Sequence, residues 1–204
     1  MSYLDLDEPL VHEALAASSG DSVVVPLLLA PGYHSEVDLP AIVEPHAARR
    51  AITVTPVIGS RDLTRALADR LIEAGVDEGD GIVLTAVGSS RPMAAIVANR
   101  RAIELSTLLH RPVEVVFATQ LGTGDRHLRN AIRRLGAAGA RRIAVSPYFL
   151  SAGLLTERVE NALDRLTTDS VYAGPIGDHP ALIDTIVERY RTALHSDSLV
   201  VAPA

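Results

Sequence analysis

The chain repeats itself, and no other feature of the sequence limits its fold so tightly. VVVPLLLAPGYHSE (Val23–Glu36) returns as IAVSPYFLSAGLLTE (Ile143–Glu157), pairing Pro26 with Pro147, Gly32 with Gly153 and Glu36 with Glu157. TPVIGSRDL (Thr55–Leu63) returns as AGPIGDHPAL (Ala173–Leu182) with one gap, and YLDLDEPLVHEAL matches FATQLGTGDRHLRNAI as strand, acidic loop and helix. A period of about 120 residues means a duplicated domain and not a solenoid. Each copy should hold the same elements in the same order.

Strands are expected at Ser2–Leu6, Ser22–Leu29, Ala51–Pro56, Gly81–Ala86, Val113–Ala118, Arg142–Pro147 and Ser170–Pro175, short segments bounded by Gly, Pro or charge. Helical spacing of apolar residues lies between them, at Asp62–Ala74, Ala95–Leu109, Arg126–Leu135, Thr156–Leu166 and Pro180–Leu194. Strand–helix alternation implies an α/β fold with parallel sheets. Aromatic residues make up only 3%, so Val, Leu, Ile and Ala must fill the interior, which suits buried parallel strands.

The two copies are unequal. The second, from about Gly81, runs strand–helix four times, whereas nothing in the first matches GIVLTAVGSSRP and its helix. The expected division is a first lobe over 1–78, short of one βα unit, and a second over 79–196. Truncation of the N-terminus is the favoured reason, and the exposed sheet edge left behind would encourage pairing into a homodimer.

Composition excludes several classes. There is no cysteine, so disulfides, thiolate zinc sites and iron–sulfur clusters are ruled out, and any metal must bind His, carboxylate or a ligand from outside. A cysteine-free chain without a signal-peptide layout fits a cytoplasmic protein. The longest apolar stretch, Val23–Ala30, contains Pro26 and is far too short to span a bilayer, so no membrane partner is expected. A net charge of −6 without a basic block argues against nucleic acid.

In open parallel sheets, ligands bind at the carboxyl ends of strands. Three segments qualify: Ala30–Pro40, Ala86–Pro92 and Ser151–Glu157. In the first, His34 follows Pro31–Gly32–Tyr33, where the glycine would permit a tight turn after a buried strand. Neutral imidazole binds divalent iron, cobalt or nickel, with Glu36 and Asp38 close enough to orient it or take protons. The alternative is a loop histidine making only a local hydrogen bond. AVGSSRP could cradle an anion with Ser89, Ser90 and Arg91, or Ser89 or Ser90 could simply cap the next helix. His179 is expected to open the last helix, and the arginine pairs, Arg100–Arg101 and Arg133–Arg134 among them, to be solvated faces. No nucleophile elbow, zincin helix or carboxylate dyad is present.

These residues resemble a known family. VVPLLLAPGYHSEVDLP is similar to the signature of class II sirohydrochlorin chelatases of the CbiX/SirB type, and LTAVGSSRP, SPYFLSAGLLTERV and PIGDHPALIDTIVERY resemble the second lobe of the long members. The resemblance implies two similar flavodoxin-like lobes facing a cleft, here with the first incomplete. It implies insertion of Fe2+ or Co2+ into a carboxylate-rich tetrapyrrole for siroheme or cobalamin synthesis, with no organic cofactor. Of the family's two metal-holding histidines, one carries over, onto His34. The second lobe has Val87 and Leu155 at the matching positions, which implies a non-catalytic wall. His34, Glu36 and Asp38 are the implied catalytic set, with His34 the metal ligand; Ser89, Ser90 and Arg91 would hold substrate carboxylates. The competing readings are a tetrapyrrole- or metal-binding protein of the same fold without catalysis, and an anion- or nucleotide-binding domain built on AVGSSRP.

Overall fold

The computed structural model describes residues 1–167 and 169–195; the end of the second expected lobe, residue 196, lies outside them. The chain forms two compact units. One comprises Met1–Arg61 with the chain from Asp184 onward, the other Asp62–Ile183.

The second unit holds one parallel sheet, in the order β4-β3-β5-β6. Its strands are β3 (Asp80–Ala86), β4 (Val113–Phe117), β5 (Arg142–Pro147) and β6 (Ser170–Tyr172). The helices are α3 (Thr64–Glu73), α4 (Pro92–Leu109), α5 (Arg126–Ala137), α6 (Leu154–Asp164) and the start of α7 (Pro180–His195). β3 is central and every residue in it is buried, as a strand covered on both faces requires. Counting from β3, the order reads 2-1-3-4, a flavodoxin-like arrangement whose topological switch point lies between β3 and β5. α5 and α6 close one core with Val83, Val145, Leu128, Leu135, Val159 and Leu163.

The first unit has α1 (Val11–Ala17), α2 (Leu39–Ala47) and a sheet of two parallel strands, β1 (Ser22–Val24) and β2 (Ile52–Val54). Val11, Leu15, Leu39, Val43 and Ile52 form its core. Arg50 donates to the carbonyls of Leu15 and Ser18, satisfying the open end of α1.

The repeat is legible in hydrogen bonds. Thr55 N–H donates to Val24 O at 2.9 Å and Ala173 N–H to Val145 O at 3.0 Å; Gly59 N–H donates to Leu28 O at 3.1 Å and Gly177 N–H to Leu150 O at 3.0 Å. A Cβ on Gly59 would stand 1.8 Å from Leu29 O, so the crossing of these two segments demands glycine there. The last helices of the copies are exchanged between units: α3 follows the first copy in sequence but packs on α4 and β5, while α7 from Asp184 belongs to the first unit.

Three expectations need correction. Ser2–Leu6 is no strand: Tyr3 N–H donates to Pro9 O and Val11 N–H to Tyr3 O, with Leu6 fully exposed at φ +65°. By the repeat, Tyr3 aligns with Phe117, the last residue of β4, so most of Ser2–Leu6 corresponds to the turn after that strand, and among the described residues the first unit has no strand in the place of β3 to pair it. Ser22–Leu29 shortens to Ser22–Val24, because Pro26 cannot donate to a ladder and its carbonyl instead accepts Leu28 N–H. Arg101 is not solvated; it is 2% exposed.

Arg101 is held between the carboxylates of Asp62 and Glu104, the latter at 2.7 Å, and donates to Thr64 Oγ1 at 3.2 Å. This network ties α3 to α4. Burial, with Glu104 and Asp62 nearby and Arg101 opposing, pushes the Tyr148 phenol up to about 12.

Candidate functional site

Ala30–Gly32 is a loop, but from Tyr33 to Pro40 the segment is the start of a helix. After β1 the chain enters a π-helical turn, His34–Asp38, which runs directly into α2. Leu39 N–H donates to His34 O, closing the wide turn. Pro40 stands near the start of α2, just after the wide turn. Gly32 is not at positive φ, and its role is to begin the turn. Its carbonyl accepts the N–H of Ser35 at 3.1 Å and of Glu36 at 2.9 Å, and Ser35 Oγ accepts Gly32 N–H at 2.9 Å. Ser35 is a positioning residue that the sequence reading did not single out.

The same knot opens α6 in the second unit. Thr156 Oγ1 accepts Gly153 N–H at 3.0 Å and Glu157 N–H donates to Gly153 O at 3.0 Å. Gly32-x-x-Ser35 and Gly153-x-x-Thr156 are therefore one device used twice, and that spacing was its sequence signal. What differs is the residue displayed: His34 in one copy, and in the other Leu155, which packs on the core.

His34 Nδ1–H donates to Asp38 Oδ2 at 2.7 Å across one turn. A carboxylate accepts only, so this bond fixes the tautomer and leaves Nε2 with its lone pair directed outward. A carboxylate behind an imidazole is the arrangement that orients a metal-binding histidine. The His34 side chain is 57% exposed and that of Asp38 33%, so the ring is open to an incoming ion. Glu36 is exposed on the same turn. Thus His34 and Asp38 are brought together across the turn, while Glu36 stands two residues from His34, a spacing that does not face it. Among the described residues, no group of three or more His, Asp or Glu side chains is gathered to hold a metal. The geometry suits transient contact with an ion more than a resident metal centre.

Ser89, Ser90 and Arg91 stand together in the other unit, on the loop between β3 and α4. This is one side of the switch point, where ligands of such sheets bind. Gly88 at φ +90° makes the loop: a Cβ would come within 2.5 Å of Thr119 Oγ1, which donates to Val87 O at 2.8 Å. Ser89 Oγ accepts Arg91 N–H at 3.1 Å, just ahead of α4. Val87 is half exposed. By the repeat, His34 follows the strand that corresponds to β5.

His179 serves the fold. His179 Nδ1 accepts Ala181 N–H at 3.1 Å, opening α7 as expected, and its Nε2 lies 3.2 Å from Asp69.

The chain matches the CbiX family over residues 1–74 and 81–193. It is 24% identical over 217 residues to a sirohydrochlorin cobaltochelatase of Priestia megaterium, covering 96% of this chain and 69% of that one. It is 23% identical over 209 residues to a sirohydrochlorin ferrochelatase of the same organism, covering 95% and 77%. Among solved structures, SirB from Bacillus subtilis with Fe3+ superposes with a TM-score of 0.75 at 25% identity, covering 95% of this chain and 81% of that chain.

Proposed function

Because the chain belongs to the CbiX family, we propose that it is a sirohydrochlorin chelatase, a lyase-class enzyme that inserts Fe2+ or Co2+ into sirohydrochlorin. The observation that carries the reading on this chain is the His34–Asp38 pair. Its fixed tautomer offers Nε2 to a divalent ion, and its exposure lets the ion arrive and leave.

Insertion exchanges two pyrrole N–H protons for one divalent cation, so the protein must deliver the ion and accept protons. His34 Nε2 holds the ion while water ligands are lost. Once the ion has passed to the macrocycle nitrogens, the same lone pair is free to take a proton, and Asp38 stabilises the imidazolium that forms. Glu36, exposed on the same turn, relays protons to solvent. Ser89, Ser90 and Arg91 hold peripheral carboxylates, through hydroxyl donors and a guanidinium. No organic cofactor takes part, and the metal is substrate. The proposed working place is the cytoplasm, which a cysteine-free sequence fits. The duplicated lobes, 1–78 and 79–196, are the units of descent, of which the second displays Leu155 and Val87 where metal ligands would stand.

The test is anaerobic incubation with sirohydrochlorin and Co2+ or Fe2+, followed through the absorbance of the macrocycle. Metallation faster than the protein-free reaction supports the proposal. The lone imidazole favours one rival, a tetrapyrrole binder without catalysis. Saturable binding of the macrocycle with no acceleration would select that rival.

A further inference from the structure

In a chain of net charge −6, α5 carries four arginines and no carboxylate. Arg126, Arg129 and Arg133 recur at helical spacing, so their side chains share one face and span about 10 Å. They line a hollow of about 350 Å³ with Asn130, Ile132 and Leu166. All three arginines are exposed, and Ile132 and Leu166 are half-buried.

The guanidiniums have few partners. Arg129 Nε donates to Gly124 O at 2.9 Å, Arg133 Nη2 to Asn130 Oδ1 at 2.8 Å, and Arg126 Nε to His127 Nε2 at 3.4 Å. None meets a carboxylate among the described residues. The neighbouring acid Asp125 is already engaged with Arg165 at 2.9 Å, and Arg134, on the other side of the helix, takes Glu114 at 2.6 Å. The charge neutralisation seen elsewhere on this surface stops at the hollow, leaving the Nη groups of Arg126 and Arg129 free to fork onto carboxylates.

We infer that this face of α5 is a docking site for a polycarboxylate with an apolar body, the macrocycle substrate or its metallated product held by one edge. Ile132 and Leu166 form a floor for the flat ring, and the three guanidiniums form a rim for its acid side chains. The volume is at the small end for ligand sites and takes an edge, not the whole ring. Naming the macrocycle rests on the chelatase reading; the affinity for polycarboxylates does not.

The experiment therefore has two arms. In the first, the full chain is titrated with benzenehexacarboxylate while the arginine Nε–Hε resonances are followed by NMR. Saturable shifts at Arg126, Arg129 and Arg133, reversed by salt, are expected; their absence overturns the site, whether or not the protein metallates anything. Duplex DNA moving the same resonances at far lower concentration would also overturn it, by reassigning the face to a polyanion. In the second arm, the Arg126→Gln/Arg129→Gln/Arg133→Gln variant metallates sirohydrochlorin with KM raised about tenfold, as three exposed charge contacts allow, and kcat unchanged. An unchanged KM overturns the macrocycle as occupant. Failure of wild type and variant alike to metallate sinks the chelatase reading and with it the macrocycle as occupant, leaving only the polycarboxylate site of the first arm.

Discussion

Replacing Asp38 by Asn keeps the size of the side chain and removes its charge. In the wild type the carboxylate accepts from His34 Nδ1–H at 2.7 Å, within the short range of charge-assisted bonds. An asparagine amide can present either its oxygen or its NH2 to Nδ1, so the tautomer that leaves Nε2 free is no longer enforced. Loss of such an outer partner typically lowers metal affinity by roughly 10–100-fold. Here the ring is 57% exposed and the carboxylate 33%, so water screens the pair and the lower end applies. The expected loss is about tenfold, equivalent to about 1.4 kcal/mol. Calorimetric titration with Co2+ at fixed pH measures it for wild type, Asp38→Asn, His34→Ala and the double variant. If Asp38 acts through His34, its substitution has no effect in the His34→Ala background. An Asp38→Asn protein that binds Co2+ like wild type, or a tenfold loss that persists without His34, refutes the reasoning.

Three further outcomes concern the scaffold. Gly59→Val drives a Cβ into the Leu29 backbone and should cost about 3 kcal/mol in urea unfolding, the upper range for overpacking; a neutral substitution would mean the crossing is loose. Ile82→Ala, at the fully buried centre of β3, should cost about 3 kcal/mol, whereas Ile103→Ala, 68% exposed on α4, should stay within about 0.5 kcal/mol. Asp80 accepts from Arg142 Nε at 2.8 Å and Nη2 at 2.7 Å, and the guanidinium holds its carboxyl below the usual carboxylate range. A depressed carboxylate contributes stability above its unfolded pKa of about 3.9, lost as pH falls towards the folded value. Acid unfolding followed by circular dichroism should thus be steeper below about pH 4 in wild type than in Asp80→Asn.

Much of the fold could be read from the residues. Arg142–Pro147 forms its strand over the expected residues, and α7 runs one residue beyond the stripe from Pro180 to Leu194. Those segments carry their own signals, β-branched runs and helical periodicity. Ser2–Leu6 carried a strand signal too, but a strand needs a neighbour, and no local pattern reports whether one exists. The His34 turn was found as a position and misread as a shape. Pro31 and Pro40 bracket it like a loop, yet Gly32-x-x-Ser35 is a helix opening, and the wide turn that follows leaves no mark in hydropathy. Arg101 was missed because its partners are split: Glu104 lies one turn on, while Thr64 opens the preceding helix and Asp62 stands just ahead of it. The arginine face of α5 was visible only as scattered charges until Leu166 supplied its floor.

The initial rate of Co2+ insertion into sirohydrochlorin, compared between wild type and His34→Gln at saturating macrocycle, bears most directly on the imidazole as the donor that delivers the ion. The account predicts a fall of about 100-fold or more, partly restored by imidazole added to the solution. A variant that metallates within about twofold of wild type, on the same scale of proton-transfer losses, would contradict it.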